Sequence, residues 1–322
     1  MINGLINVYK EKGFTSFDVV AVMRGISGQK KVGHTGTLDP DAEGVLPICL
    51  GNATKLCDVL NDKRKEYIAT LMLGKRTDTL DISGTVLEER EICSTRESFE
   101  MAAASFIGGY EQLPPMYSAK KVDGKRLYDL ARQGVEVERK KAFVNIYEIE
   151  ILKFERPYVE MRVLCGKGTY IRSLCEDIAA KCGDIAVMTK LIRSRVDNFC
   201  IDNAKKLSEL TDIKNSGNLL DYVIPTEFCF KNLPAVMVKP EFKKLIDNGN
   251  KMGFDMVLIL EEAKGKTVRE LFENGQPRLV DNHAGSLKNG ETVRMVNCEG
   301  SFVGIFSVDG NVFKPDKMFP EG

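Results

Sequence analysis

The chain has 322 residues, of which 43% are hydrophobic and 29% are charged, and its formal net charge is +0. This composition is ordinary for a globular protein and excludes an intrinsically disordered, collagen-like or coiled-coil chain. No stretch approaches the roughly 20 uninterrupted apolar residues of a membrane-spanning helix, and the first residues lack the pattern of a secretory leader. We therefore expect a cytoplasmic protein without a membrane partner.

Cysteine and histidine usage argues against a metal site. The nine cysteines include no C-x-x-C pair, and the two histidines, His34 and His283, lie far apart in the chain. A structural zinc site needs four closely spaced soft ligands, which this pattern does not supply. Reduced, mostly buried thiols are the expected state of these cysteines.

The N-terminal half contains a well-marked helix start. Thr15 and Asp18 form a capping-box pattern, and apolar residues then recur at helical spacing, which predicts a helix over residues 16–26. Residues 33–51 are too rich in glycine and proline for regular structure. Further along, the patterns predict a strand over residues 67–73, a polar loop over 76–84 and a helix over 99–106.

A polar, basic segment follows the proline pair Pro114 and Pro115. Between residues 118 and 142 the sequence carries eight Lys and Arg residues and four Asp and Glu residues, a local excess of four positive charges. Binding to nucleic acid depends on such local clusters more than on net charge, so this distribution is compatible with an RNA partner without requiring one. We predict that residues 113–142 stand out from the core as an insertion.

The remaining patterns predict a division of the chain near Lys231. Residues 144–154 and 159–165 alternate like paired strands, and a helix beginning near Thr169 carries an apolar stripe. Residues 204–220 are mostly helical in character. Beyond Lys231 the sequence pattern is typical of a small β-rich module, with short strands predicted over residues 235–238, 292–296 and 302–308.

The glycine-rich run 33–51 presents one carboxylate in a restrained setting. Its glycines permit unusual backbone angles and close approach to a ligand, and Pro40 restrains Asp39 to extended conformations. Such a loop suits a catalytic carboxylate, and an ordinary Asp-Pro turn explains the same pattern. The run lacks both the G-x-x-x-x-G-K-[ST] pattern and the G-x-G-x-x-G fingerprint, which argues against a nucleoside triphosphate ligand.

Five stretches of the sequence resemble the TruB family of tRNA pseudouridine synthases. The run GHTGTLDPDAEGVLPICLGNATK from Gly33 resembles the family's central motif, and four more stretches follow in the family's order: KEYIATLMLGKRTDTLDISG, PPMYSAKKVDGKRLYDLARQG, KGTYIRSLCEDIA and LIRSRV. The resemblance covers residues 4–232, and the tail resembles, less sharply, the PUA RNA-binding module. It implies an α+β fold with a mixed, mainly antiparallel sheet flanked by helices. Its domains would be a catalytic domain over residues 1–231, with 113–142 as a thumb-like insertion, and a PUA-like RNA-binding domain over 232–322.

The resemblance assigns roles to six residues. Asp39 matches the family's essential aspartate, and Arg172 matches the arginine that pairs with it. The others match positions around the target base: Tyr67 the tyrosine that stacks on the flipped uracil, Tyr170 a neighbour of Arg172 in the pocket, His34 the histidine near the extruded base, and Leu191 an apolar wall of the uracil site. From pattern alone, Tyr67 and Leu191 are typical of core packing, and His34 is typical of a hydrogen-bonded loop.

Arg172 indicates a carboxylate partner on its own account. It lies in the first turn of a predicted helix, where the macrodipole disfavours a cation, and beside the apolar stripe of that helix. A cation in that position usually forms an ion pair with an acidic side chain. Glu176, one helical turn away, is one candidate partner. The resemblance favours Asp39 instead.

The resemblance implies an isomerase that converts a uridine in the T-loop of tRNA, at position 55, into pseudouridine after flipping the base out of its stack. Uracil is both the leaving group and the returning nucleophile in this reaction, so no metal or other cofactor is expected. The expected partner is the tRNA T-arm, and the expected state is a monomer. A non-catalytic RNA-binding or tRNA-folding protein is one alternative, against which the intact Asp39, Tyr67 and Arg172 argue. A guide-RNA-dependent relative is another, and the long basic insertion argues that no guide RNA is needed.

Overall fold

A computed structural model of the chain describes residues 1–118, 120–122, 124–133, 135, 137–273, 278–281 and 287–319. His283 lies outside the described residues, as do residues 119, 123, 134 and 136 of the predicted insertion. Within the described ranges, no helix combines the length and apolar character needed to cross a membrane.

Strands and helices alternate in the first two thirds of the chain, and strands dominate the last third. The earlier strands are β1 (Gly4–Lys10), β2 (Val32–His34), β3 (Glu43–Leu50), β4 (Lys65–Leu73), β5 (Lys75–Thr77), β6 (Val86–Glu89), β7 (Tyr110–Gln112), β8 (Lys121–Val122), β9 (Lys125–Arg126), β10 (Ala142–Val144), β11 (Ile146–Glu155), β12 (Tyr158–Cys165), β13 (Ala186–Val196) and β14 (Phe199–Cys200). The later strands are β15 (Ala235–Val238), β16 (Met252–Gly253), β17 (Val257–Leu260), β18 (Leu279–Asp281), β19 (Thr292–Val296), β20 (Phe302–Asp309) and β21 (Val312–Met318). The α-helices are α1 (Ser16–Ser27), α2 (Cys57–Asn61), α3 (Arg96–Ala104), α4 (Leu127–Arg132), α5 (Ile171–Lys181), α6 (Leu207–Asn215), α7 (Lys243–Asp247) and α8 (Val268–Glu273).

An eight-stranded sheet forms the centre of the larger part of the molecule. Its order is β1-β3-β13-β4-β12-β11, with β2 paired to β3 and β14 paired to β13. The pairs are antiparallel except for β13 with β3. Helices α1 and α6 pack near β1 and β3, and α3 and α5 pack against β11 and β13. The expected mixed, mainly antiparallel sheet flanked by helices is confirmed.

Two local predictions are confirmed in detail. The hydroxyl of Thr15 accepts a hydrogen bond from Asp18 N at 3.0 Å, and the Asp18 carboxylate accepts one from Thr15 N at 2.8 Å, so α1 begins at the predicted capping box. Strands β11 and β12 pair antiparallel, as the alternation of their residues predicts.

The prediction of irregular structure throughout residues 33–51 is wrong for its second half. Strand β3 occupies Glu43–Leu50 in the interior of the sheet, and all its residues after Glu43 are buried. Its apolar run is covered on both faces, and pairing with neighbouring strands outweighs the low strand propensity of Gly44 and Pro47. Pro47 still contributes its carbonyl, which accepts from Thr35 N at 3.3 Å.

Other element boundaries also differ from the sequence patterns. The helix expected over residues 204–220 is limited to α6, because Gly217 adopts a left-handed backbone conformation with φ of 84° shortly after its end. The polar loop expected over 76–84 begins inside β5, which pairs with β6. The long central strand β13 has no counterpart among the predicted elements.

The C-terminal third is a seven-stranded sheet with the order β16-β21-β20-β19-β15-β17-β18. The strands predicted over residues 235–238, 292–296 and 302–308 are present as β15, β19 and β20, the last of them one residue longer. The expected β-rich C-terminal module is confirmed. Its boundary between residues 231 and 232 stays a prediction.

A buried ion pair ties the segment before this sheet to the sheet itself. Arg294 Nη1 in β19 lies 2.6 Å from Glu227 Oε1, and both side chains are almost completely buried. Glu227 also accepts a hydrogen bond from Val268 N at the start of α8. Removing one partner from a buried pair leaves the other charge without compensation, so this contact matters for folding.

We expect Glu227→Gln to lower the free energy of unfolding by about 2–3 kcal/mol, because the amide keeps the shape but loses a charge-assisted hydrogen bond to Arg294. Urea unfolding of the whole chain measures this change. Glu261→Gln is the matched control, since Glu261 pairs with Arg278 at the surface, and we expect a change within about 0.5 kcal/mol there. Equal losses of unfolding free energy in the two variants would contradict a stabilising role for the buried pair of Glu227 and Arg294.

Candidate active site

A cavity of about 290 Å³ lies between the loop that joins β2 to β3, the inward face of the sheet and the start of α5. Five of the six residues predicted for the site line it: Asp39, Tyr67, Tyr170, Arg172 and Leu191. The same elements, the end of α2 and the predicted insertion supply the other lining residues: Gly36, Thr37, Leu38, Asn61, Lys65, Ser118, Gly166, Gly168, Thr169, Ile171 and Arg193.

His34 is the predicted site residue that does not line this cavity. It lies at the end of β2, where its Nδ1 accepts a hydrogen bond from Gly36 N at 3.3 Å. Burial, and then the charge of Arg193, lower the pKa of His34, so the imidazole is neutral at physiological pH. The contact braces the loop, and a position beside the extruded base stays a prediction.

The loop that carries Asp39 is held from both sides. The ammonium of the fully buried Lys10 donates to three backbone carbonyls, including that of Pro40 at 3.1 Å. Burial lowers the pKa of Lys10 to about 8. On the other side, the Ser16 hydroxyl exchanges hydrogen bonds with the N–H and carbonyl of Leu38. Asp39 therefore projects from a backbone that has little freedom to move.

Arg172 is the direct partner of Asp39. Its Nη2 lies 2.9 Å from Asp39 Oδ2, and its Nη1 lies 3.1 Å from Asp81 Oδ2. The Arg172 side chain is 7% exposed, whereas that of Asp39 is 49% exposed, so a buried cation holds a carboxylate that solvent and substrate can reach. The pairing with Asp39 predicted from the sequence is present. In the described part of the chain, Arg172 makes no ion pair with Glu176.

Asp81 contacts the site through Arg172, although the sequence pattern assigns it no role. Its Oδ1 accepts hydrogen bonds from Thr79 Oγ1 at 2.8 Å and from Ser83 N at 3.2 Å, which leaves Oδ2 directed at Arg172. The available signal was its place in the polar run that follows β4. That signal does not say which cation the acid meets.

Neighbouring strands bring Tyr67, Leu191 and Arg193 together. Tyr67 in β4 lies opposite Arg193 in β13, and Leu191 shares the inward face of β13 with Arg193. The fully buried guanidinium of Arg193 donates to the carbonyls of Val45 at 2.7 Å and Gly36 at 3.2 Å. Burial raises the pKa of Tyr67. The alternation of residues in β13 could have identified Arg193, which lies two positions beyond Leu191.

Tyr170 is positioned through its backbone. Gln112, buried in β7, accepts from Tyr170 N at 2.8 Å and donates to Tyr170 O at 3.0 Å. These bonds fix the residue that precedes α5. The first turn of α5 thereby brings Arg172 to the same cavity as Tyr170.

Three cations and one carboxylate line the cavity: Lys65, Arg172, Arg193 and Asp39. Arg172 is matched by Asp39 and Asp81, whereas Lys65 and Arg193 have no ion-pair partner among the described residues. No three His, Cys, Asp or Glu side chains within those residues converge as metal ligands. The cavity thus combines an accessible carboxylate with a positively charged inner wall, which suits an electron-rich organic group.

The chain is similar to known proteins along most of its length. The family model described as "TruB family pseudouridylate synthase (N terminal domain)" matches residues 24–171. A protein of Lachnoclostridium phytofermentans named tRNA pseudouridine synthase B is 45% identical over 330 residues, which cover 99% of this chain and 100% of that protein. A protein of the same name from Alkaliphilus oremlandii is 47% identical over 251 residues, 78% of this chain and 83% of that protein.

Solved structures show the same fold. A chain from a Cbf5-Nop10-Gar1 complex has a TM-score of 0.70 and 26% identity, and the match covers 99% of this chain and 85% of that chain. A chain from an H/ACA RNP bound to a substrate RNA containing 2′-deoxyuridine has a TM-score of 0.69 at 24% identity, over 99% of this chain and 85% of that chain. With 45% identity to a relative over almost the whole of both sequences, the chain belongs to the TruB family of pseudouridine synthases.

Proposed function

We propose that this chain converts the uridine at position 55, in the T-loop of tRNA, into pseudouridine, with Asp39 as the essential carboxylate. The observation that carries the proposal is the ion pair of the accessible Asp39 with the buried Arg172, at a cavity lined by Tyr67. The relatives named tRNA pseudouridine synthase B support the same substrate class.

The chemistry requires the Asp39 carboxylate to act at C1′ of the target nucleoside. Pseudouridine formation breaks the N1–C1′ bond, turns the detached uracil and joins it to the ribose again through C5. A carboxylate facing C1′ assists as a nucleophile or by stabilising positive charge on the ribose, as glycosidase carboxylates do. Arg172 gives that carboxylate a fixed direction from a rigid helix start.

The surrounding side chains suit a flipped uracil. We assign the aromatic face for stacking to Tyr67, which lies opposite Arg193 in the neighbouring strand. Leu191 supplies an apolar wall, and Tyr170 lines the cavity beside Arg172. His34 braces the loop and is assigned to the space near the extruded base.

Extruding a uridine from a folded T-loop costs a few kcal/mol, so contacts elsewhere must recover that free energy. We assign them to the basic insertion over residues 113–142 and to the β-rich module over 232–322. Strands β7 and β10 pair at the root of the insertion, with Gln112 opposite Ala142, so the chain leaves and returns at one place. The protein would act as a cytoplasmic monomer on the T-arm.

We infer that no guide RNA takes part. The relatives named tRNA pseudouridine synthase B are 45% and 47% identical to this chain, whereas the chain from the Cbf5-Nop10-Gar1 complex is 26% identical. Conversion of free tRNA by the isolated protein is the corresponding expectation.

The test is incubation of the purified protein with an unmodified tRNA transcript and no other macromolecule. We expect pseudouridine at position 55, detected by primer extension after carbodiimide treatment, and no product on a transcript with cytidine there. Absence of product would contradict the catalytic proposal. Product only after a second RNA is added would support the guide-dependent alternative.

A further inference from the structure

Lys65 is a buried cation at the cavity that the proposed role of Asp39 does not use. It is the first residue of β4, is 6% exposed and lines the cavity. Its ammonium donates to the carbonyls of Asn61 at 2.7 Å and Lys63 at 3.0 Å. Among the described residues these are its two acceptors, one fewer than its three N–H donors.

Lys65 is also placed on the side of the cavity assigned to the base. The alternation of β4 puts Lys65 and Tyr67 on the same buried face, and Arg193 lies opposite Tyr67 in β13. Asp39, by contrast, is half exposed. A nucleoside with its ribose at Asp39 and its base on Tyr67 therefore directs the edge of the base towards two cations.

Keeping an unpaired cation in this position is unfavourable for the free protein. Burying a charge without a counter-charge costs free energy, and burial lowers the pKa of Lys65 to about 8. A neutral N–H donor could satisfy the two backbone carbonyls equally well, so these hydrogen bonds do not explain the presence of a charged side chain. A cost of this kind at a substrate cavity indicates a negative charge that arises only during the reaction.

We propose that Lys65, assisted by Arg193, is a catalytic residue that stabilises the negative charge on uracil while the base is detached from the ribose. The inference deepens the proposed function and rests on it. A phosphate group is a poorer occupant of this position, because Lys65 is almost completely buried and lies on the same buried strand face as Tyr67.

The charges balance without any further reactant. When the N1–C1′ bond breaks, its electron pair stays on N1, and the uracil anion spreads that charge over O2 and O4. Asp39 compensates the electron-poor C1′. The C5–C1′ bond then forms, C5 loses its proton and N1 gains one, so the product is an isomer of the substrate.

The test compares two leaving groups under single-turnover conditions. The target position of a tRNA transcript carries either uridine or 5-fluorouridine, whose fluorine stabilises the base anion without help from the protein. We expect Lys65→Met to slow the loss of N1-linked uridine by about 100-fold and the loss of N1-linked 5-fluorouridine by about tenfold or less. Lys65→Gln keeps N–H donors but not the charge, and we expect it to slow both substrates by the same factors as Lys65→Met.

Folding and binding serve as controls. Both variants should melt at or above the wild-type temperature, because a buried unpaired charge is removed, and should bind tRNA within about threefold of wild type. Lys153→Met removes an exposed lysine that pairs with Glu155 and should change neither rate.

Equal slowing of the two substrates in the Lys65 variants, or a loss confined to tRNA affinity, would overturn the inference. Its failure is distinguishable from failure of the proposed function. An active wild-type enzyme with active Lys65 variants contradicts only the role of Lys65, whereas a wild-type protein that makes no pseudouridine contradicts the proposed function itself.

Discussion

Arg172→Met is expected to lower the turnover of tRNA by about 10²–10³-fold while changing tRNA affinity by less than about threefold. Methionine fills the space of the arginine stem but cannot hold Asp39, whose Oδ2 lies 2.9 Å from Nη2. Asp81 then loses its cation as well, and the carbonyl of Tyr117 loses a donor 2.8 Å away. Because these groups shape the reacting end of the cavity, the chemical step should suffer most.

Single-turnover rates and equilibrium binding of the same tRNA separate the two effects. Arg172→Lys keeps the charge but lacks the planar fork that reaches both carboxylates, so we expect it to recover only part of the rate. Arg96→Met, which removes a surface arginine paired with Glu100, is the control and should resemble wild type. Equal losses of turnover and affinity in Arg172→Met would refute the pairing role.

The elements that local patterns predicted well are those whose determinants lie within a few residues. The capping box of α1 involves Thr15 and Asp18, three positions apart, and β11 and β12 are joined by a short turn. Their hydrogen bonds connect near neighbours in the chain, so the sequence pattern already contains both partners.

Strands β3 and β13 show why other elements could not be predicted. Gly44 and Pro47 disfavour a strand locally, and β3 forms because β1 and β13 cover its edges. Strand β13 pairs in parallel with β3, at residues about 150 positions earlier in the chain. Neither segment alone indicates which distant strand it pairs with.

The contacts of the site likewise include some that the sequence predicts and others that it does not. The helix macrodipole indicates an anionic partner for Arg172, the family resemblance predicts that this partner is Asp39, and the contact is present. Neither source predicted that Asp81 shares the same guanidinium, or that Arg193 holds the backbone of the loop at Gly36. Those contacts depend on how separate loops meet in three dimensions, which composition and spacing do not encode.

Asp39→Asn is expected to have the largest effect of the substitutions considered. Asparagine has nearly the same shape but no charge, so it can neither bond to C1′ nor compensate positive charge there. Turnover should fall by about 10⁴-fold or more. The fold should be little affected, because the Asp39 side chain is half exposed and Arg172 keeps Asp81 as a partner. Removing a negative charge beside RNA gives no reason for weaker binding.

The most direct measurement is therefore pseudouridine formation by purified Asp39→Asn on an unmodified tRNA transcript, with tRNA affinity measured in parallel. We expect no detectable pseudouridine at position 55 and a dissociation constant within about threefold of wild type. Pseudouridine formed at a rate near that of the wild-type protein would contradict this expectation, because the accessible carboxylate held by Arg172 would then have no part in the reaction.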